Sequence, residues 1–137
     1  MGIRSILSKP YAALVAKQTK KWLKDPVGTQ EKWRKKIVTQ AENTVFGSDH
    51  NFKNIQNYED FKSSVPIRDY EELKPYIEQI LDGKPDVLWP GKPLYLSKTS
   101  GTTSGVKYIP ITNVSIHNHI DSAKNALLAY IHETGKA

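Results

Sequence analysis

The chain has 137 residues, with 20 Lys and Arg, 14 Asp and Glu and no cysteine; this allows one domain with a modest core and excludes disulfides and thiolate metal sites. The net charge of +6 is uneven. Residues 1–36 hold ten basic against two acidic residues, a net +8, while residues 37–137 hold ten against twelve, a net −2, so the basicity belongs to the N-terminal helices and gives no argument for nucleic acid as a partner.

Residues 3–23 read as an amphipathic helix with Ile3, Ile6, Leu7, Leu14, Val15 and Trp22 near a period of 3.6, and Pro10 is expected to interrupt it or mark its true start. "DPVGT" at 25–29 is a turn. A second helix is expected over about 29–45, with Trp33, Ile37, Ala41 and Val45 as its stripe and Phe46-Gly47 as its end. Residues 47–56 are polar and turn-rich. A short helix follows, capped by Asn57, then an extended "VPIRD", since Pro66 pushes Val65 out of the helical region. Asp69 and Glu72 have capping-box spacing, and Pro75 is expected to split the segment so that the helix proper is "PYIEQILDG", with Ile77, Ile80 and Leu81 buried and Gly83 as its stop.

A proline-rich loop at 83–93 leads to two strand candidates, 93–98 and 107–112, with Pro110 confining the second to an edge or a non-bonded position. A final helix over 113–134 has Thr112 as its expected N-cap, an apolar face of Ile116, Ile120, Ala123, Leu127, Tyr130 and Ile131, and Gly135 as its end. The fold class expected is α/β, mostly helices plus a strand–loop–strand hairpin. No run reaches the roughly 18 apolar residues of a membrane helix, no secretory h-region is visible, and Ile6 stands where a myristoylation signal needs Ser or Thr. A cytoplasmic, reducing location is the expectation, which makes the glycosylation match at Asn113 a chance one.

The segment between the strands carries the chemistry. "KTSGTTSGVKYIPIT", residues 98–112, places hydroxyls and glycines ahead of a lysine and then turns apolar. A tight loop of this composition can aim several backbone N–H groups at one point. Thr99, Ser100, Thr102, Thr103 and Ser104 add hydroxyl donors, Gly101 and Gly105 give the backbone freedom, and Lys107 adds a point charge. Together they describe a cradle for a polyphosphate. The spacing is that of neither a Walker A loop nor G-x-G-x-x-G. The bland alternative is a flexible connector.

"TSGTTSGVK" resembles the nucleotide-binding signature of adenylate-forming enzymes. With the flanks "FKSSVPIRDYEELKPYIEQILDG" and "GKPLYLSKTSGTTSGVKYIPIT", the chain resembles the auxin-responsive-promoter family of acyl acid amido synthetases, in its bacterial branch, over about residues 22–135. Ser104 stands where Gly is usual and Val106 where coenzyme A ligases often have Pro; both suit the amido-synthetase branch. The resemblance implies that a carboxylic acid is activated by ATP and Mg²⁺ as an acyl-adenylate, which an amino acid amine then attacks. It assigns phosphate contact to Thr99, Ser100, Gly101, Thr102, Thr103, Ser104, Gly105 and Lys107, with Lys107 as the catalytic partner of the departing pyrophosphate.

It also implies that residues 1–137 are the N-terminal segment of a large adenylation domain, with a helical part to about 83 and the hairpin and following helix over 93–135. The adenine contacts, the Mg²⁺-binding acid and a mobile C-terminal domain would lie elsewhere, and the 137 residues alone are expected to be inactive. The alternatives are an acyl–coenzyme A ligase and a non-catalytic helical module that binds a partner through its basic helices. Substrates would be a small carboxylic acid and an amino acid, with no nucleic acid and no stable membrane insertion.

The remaining polar residues have plainer readings. His117 and His119 are two apart and cannot form an i, i+4 metal pair; surface or partly buried polar positions are expected, the alternative implied by the resemblance being that this helix lines the acyl pocket and one histidine approaches substrate. Trp22 and Trp33 read as core anchors, with the lysines around them as a solvated face. Glu59, Asp60, Asp69, Glu71 and Glu72 read as helix-capping and exposed acids.

Overall fold

The structure, a computed structural model, describes residues 3–99 and 105–136, with side chains from Ser8 onward. The helices are α1 (Ile3–Thr19), α2 (Pro26–Ala41), α3 (Val45–Asp49), α4 (Tyr58–Ser64), α5 (Tyr70–Leu81) and α6 (Asn113–Thr134), with 3-10 turns at Lys20–Lys24 and Phe52–Asn54. Strands β1 (Tyr95–Thr99) and β2 (Lys107–Ile111) form an antiparallel pair. The expected helices-plus-hairpin architecture is what the chain adopts. It divides into two compact units: residues 1–29 with 114–137, and residues 30–113.

In the first unit α1 runs through Pro10 and gives way to the 3-10 turn at Lys20. Its buried residues are the small Ala12 and Ala16, and Ala12 packs with Leu128 and Ile131 of α6, with Val15 beside them. The expected stripes are corrected here. Leu14 and Trp22 of the first helix and Ile120, Leu127 and Tyr130 of the last are all about half exposed or more. The contact is made through the small Ala12, and the larger side chains at the same period fall outside it. Gly135, at φ +67°, ends α6 as expected, its amide returning to the carbonyl of Ile131 at 2.9 Å.

Helix α2 begins at Pro26, where a missing N–H costs nothing, and belongs to the second unit from residue 30 onward. It stops at Ala41, four residues before the expected end, because Thr44 starts a new helix: its hydroxyl accepts the Gly47 amide at 2.9 Å. Val38 and Ala41 are buried, while Trp33 is 51% exposed and carries Lys36 over its ring at 4.7 Å. Trp33 and Trp22 are therefore not core anchors. The polar 47–56 segment holds a buried Phe52 and a buried His50, whose ring stacks on Phe46 and whose Nδ1 lies 2.8 Å from the Phe46 carbonyl.

The box of Asp69 with Glu72 forms on α5 where its spacing placed it, and Asn57 caps α4 as expected, with Asp60 completing a second box. Helix α5 starts at Tyr70 and tolerates Pro75 inside it, and Tyr76 joins Ile77 and Ile80 in the core while Leu81 is exposed. Those three pack with Val87 from the proline-rich loop, the most buried of them at 1%, and Leu96 and Tyr108 of the hairpin lie against the same cluster. A two-stranded ribbon is marginal alone; this packing on α5 supports it.

Candidate functional site

The register of the hairpin decides what the predicted loop brings together. Tyr95 pairs with Ile111, Leu96 with Pro110, Ser97 with Ile109, Lys98 with Tyr108 and Thr99 with Lys107. Thr99 and Lys107, the first and last residues assigned to phosphate contact, thus stand directly opposite each other on one face of the ribbon. Leu96 and Tyr108 belong to the alternate set, which packs on the core. Tyr95, Ile109 and Lys107 share the face away from it.

Gly105 has φ +80°, in the left-handed region, with nothing within 4 Å of where a Cβ would sit. The position calls for glycine because of its backbone conformation, not for want of room. Ser100, Gly101, Thr102, Thr103 and Ser104 lie outside the described residues.

Lys107 is half-buried and opens β2. Among the described residues it makes no ion pair with a carboxylate; its ammonium instead lies 5.3 Å from the ring centroid of Tyr70. The Tyr70 hydroxyl accepts the backbone N–H of Tyr108 at 2.8 Å. That amide therefore points away from β1, to the open edge of β2. Pro110, two residues on, has the same parity, so its missing N–H also falls on the open edge and removes no ladder bond. The expected restriction on Pro110 is met in this way.

Tyr70 is the residue that reading for chemistry passed over. The signal was its place in "VPIRDYE", among the stretches that most specifically carry the resemblance.

An unpaired, half-buried cation at the mouth of a Gly/Ser/Thr loop fits a phosphate-bearing group such as that of ATP. Among the described residues no group of three or more His, Asp or Glu could hold a metal ion. His117 and His119 are exposed on α6. Lys17, Lys20, Lys21 and Lys24 line an open groove with Ala13, Ala16 and His132, and Lys20 pairs with Glu133 at 3.2 Å; this is a solvated face, as the lysine spacing implies. Among the described residues no helix is long and apolar enough to cross a membrane.

Residues 15–137 match the GH3 family N-terminal domain, and the chain belongs to that family. It is similar to a jasmonoyl–L-amino acid synthetase of Nicotiana attenuata, 35% identical over 92 residues covering 66% of this chain and 16% of the relative. It is also similar to an indole-3-acetic acid-amido synthetase of Arabidopsis thaliana, 38% identical over 80 residues, 56% of this chain and 13% of the relative. The aligned part thus spans about one-sixth or less of these curated relatives. No solved structure matches the chain.

Proposed function

We propose that this chain supplies the ATP-phosphate loop of an acyl acid amido synthetase, an enzyme that activates a carboxylic acid as its adenylate and passes the acyl group to an amino acid amine. The observation that carries the reading is Lys107, a half-buried lysine opposite Thr99, unpaired with any described carboxylate and closing a loop of hydroxyls and glycines in a GH3 family chain. The relatives' names favour an amine acceptor over coenzyme A, because each couples a named acid to an amino acid or as an amide.

ATP would supply the leaving group, a pyrophosphate on which negative charge builds as the carboxylate attacks. The work of the chain's own residues is electrostatic. Lys107 meets that charge from β2, and the hydroxyl of Thr99 faces it from β1. The hairpin register holds Thr99 and Lys107 opposite each other, at the two ends of the hydroxyl segment. Gly105 supplies the turn that returns the chain to β2.

A lysine–phosphate hydrogen bond between charged groups contributes roughly 1.5–3 kcal/mol, about a 10- to 100-fold change in affinity. Calorimetry with ATP in magnesium-containing buffer tests the reading: the wild-type chain binds and Lys107→Ala binds about 10- to 100-fold more weakly. Equal binding by the two folded proteins overturns it.

A further inference from the structure

The contacts of Tyr70 give it a part in the site that rests on the phosphate reading above and goes beyond it. Tyr70 is the first residue of α5. Its position is fixed from behind by the capping box, in which Asp69 accepts the Glu72 amide at 3.0 Å and Glu72 accepts the Asp69 amide at 3.0 Å. Its side chain also packs on the Tyr76, Ile77, Ile80 and Val87 cluster. From this anchored base it reaches β2 twice, through the hydroxyl that accepts the Tyr108 amide at 2.8 Å and through the ring 5.3 Å from the Lys107 ammonium.

A lysine has four rotatable side-chain bonds and loses up to about 2 kcal/mol of rotamer freedom when fixed. A ring on one side of the ammonium offsets part of that loss in advance and leaves the far side open to an anion. We propose that Tyr70 is a positioning residue: its hydroxyl holds the edge of β2 in place and its ring holds Lys107 ready for the phosphate. The two contacts separate chemically. Tyr70→Phe keeps the ring and removes the acceptor, whereas Tyr70→Leu removes both.

Two measurements on the same three proteins test the assignment. By NMR, the ε-methylene protons of Lys107 are shifted upfield by the ring in the wild type and in Tyr70→Phe, and return to the ordinary lysine position in Tyr70→Leu. The Tyr108 amide exchanges faster in both variants. By calorimetry with ATP, Tyr70→Leu binds about three- to fivefold more weakly, the size of an exposed cation–π contact, and Tyr70→Phe recovers most of that loss.

A Lys107 signal that is the same in all three proteins overturns the proposal. So does ATP binding that is weakened by Lys107→Ala yet equal across the three Tyr70 proteins; in that case the phosphate reading stands and the positioning role fails. If Lys107→Ala leaves binding unchanged, the phosphate reading fails and takes the positioning role with it. Because Tyr70→Phe preserves packing on the α5 cluster, its rescue separates positioning of Lys107 from support of the fold.

Discussion

Phe46 donates its backbone N–H to the carbonyl of Val87 at 2.9 Å. Beside it Val45 donates to Asp86 at 2.8 Å, so two of the orphan donors at the start of α3 are met by the proline-rich loop and not by water. The same loop lodges the Val87 side chain among Tyr76, Ile77 and Ile80. Asp86, at φ +55°, closes the loop by accepting the Gly91 amide at 2.6 Å.

Val87→Ala removes two methyl groups from a site that is 1% exposed. Transfer and cavity terms together amount to about 2 kcal/mol. Urea denaturation followed by circular dichroism should show that loss in midpoint, without a change in slope. A loss below about 0.5 kcal/mol, the size of an ordinary surface change, would mean that the loop is not part of the core.

Gly47→Ala is expected to destabilise, against its helix propensity. Alanine in a helix interior is favoured over glycine by about 0.8–1.0 kcal/mol. At this position, however, a Cβ would lie 2.0 Å from the Ala41 carbonyl oxygen and 3.0 Å from its carbon, both backbone atoms. Overpacking of this kind costs roughly 1–3 kcal/mol. Thermal melts of the two proteins decide the sign, and a stabilised variant would overturn the argument.

Gly47 also shows where sequence reading stopped short. Phe46-Gly47 looks like a helix ending, yet this glycine is inside α3 because α2 and α3 come too close for a side chain. What was legible was local. The Asn57 cap and the Asp69–Glu72 box were read because a side chain three residues from its partner needs no tertiary contact to find it; the return bond of Asp60 on α4 was not. The two strands around the hydroxyl loop were legible from their apolar and β-branched content. The buried faces were not. Period alone could not tell that α1 would pack through Ala12 and Ala16 or that Trp22 and Trp33 would stay half exposed, since that choice belongs to the partner helix. The site followed the same division: the loop announced Lys107, while Tyr70 needed the register of β2 to reveal its two contacts.

Tyr76 donates its hydroxyl to Asp49 at 2.8 Å. Burial is the main cause that raises its pKa above the ordinary value, and the hydrogen bond and charge of Asp49 add to it against the opposing effect of Arg68. A raised pKa means that the folded state keeps the proton longer than the unfolded chain does. This contribution is complete below the unfolded value of about 10 and is lost as pH rises through the folded one. Tyr76→Phe should cost about 1 kcal/mol at neutral pH, because Asp49 is exposed and can be rehydrated. Its stability should then fall less than the wild type's as pH rises above about 10. Parallel curves on the alkaline side would remove Tyr76 as the cause.

Asp60 works in the opposite direction. Its Oδ2 accepts the amides of Gln56 at 2.9 Å and Asn57 at 3.2 Å, and these two bonds, Gln56 first, hold its carboxyl below the ordinary value. A depressed carboxyl contributes stability that is present above the unfolded value of about 4 and disappears as pH falls through the folded one. Asp60→Ala removes both bonds, and with them the return half of the box that starts α4. Melting temperatures taken from neutral to strongly acid pH should show the variant below the wild type at neutral pH and converging with it on the acid side. A gap between the two proteins that stays constant across that range would assign the loss to packing and not to the charge on Asp60.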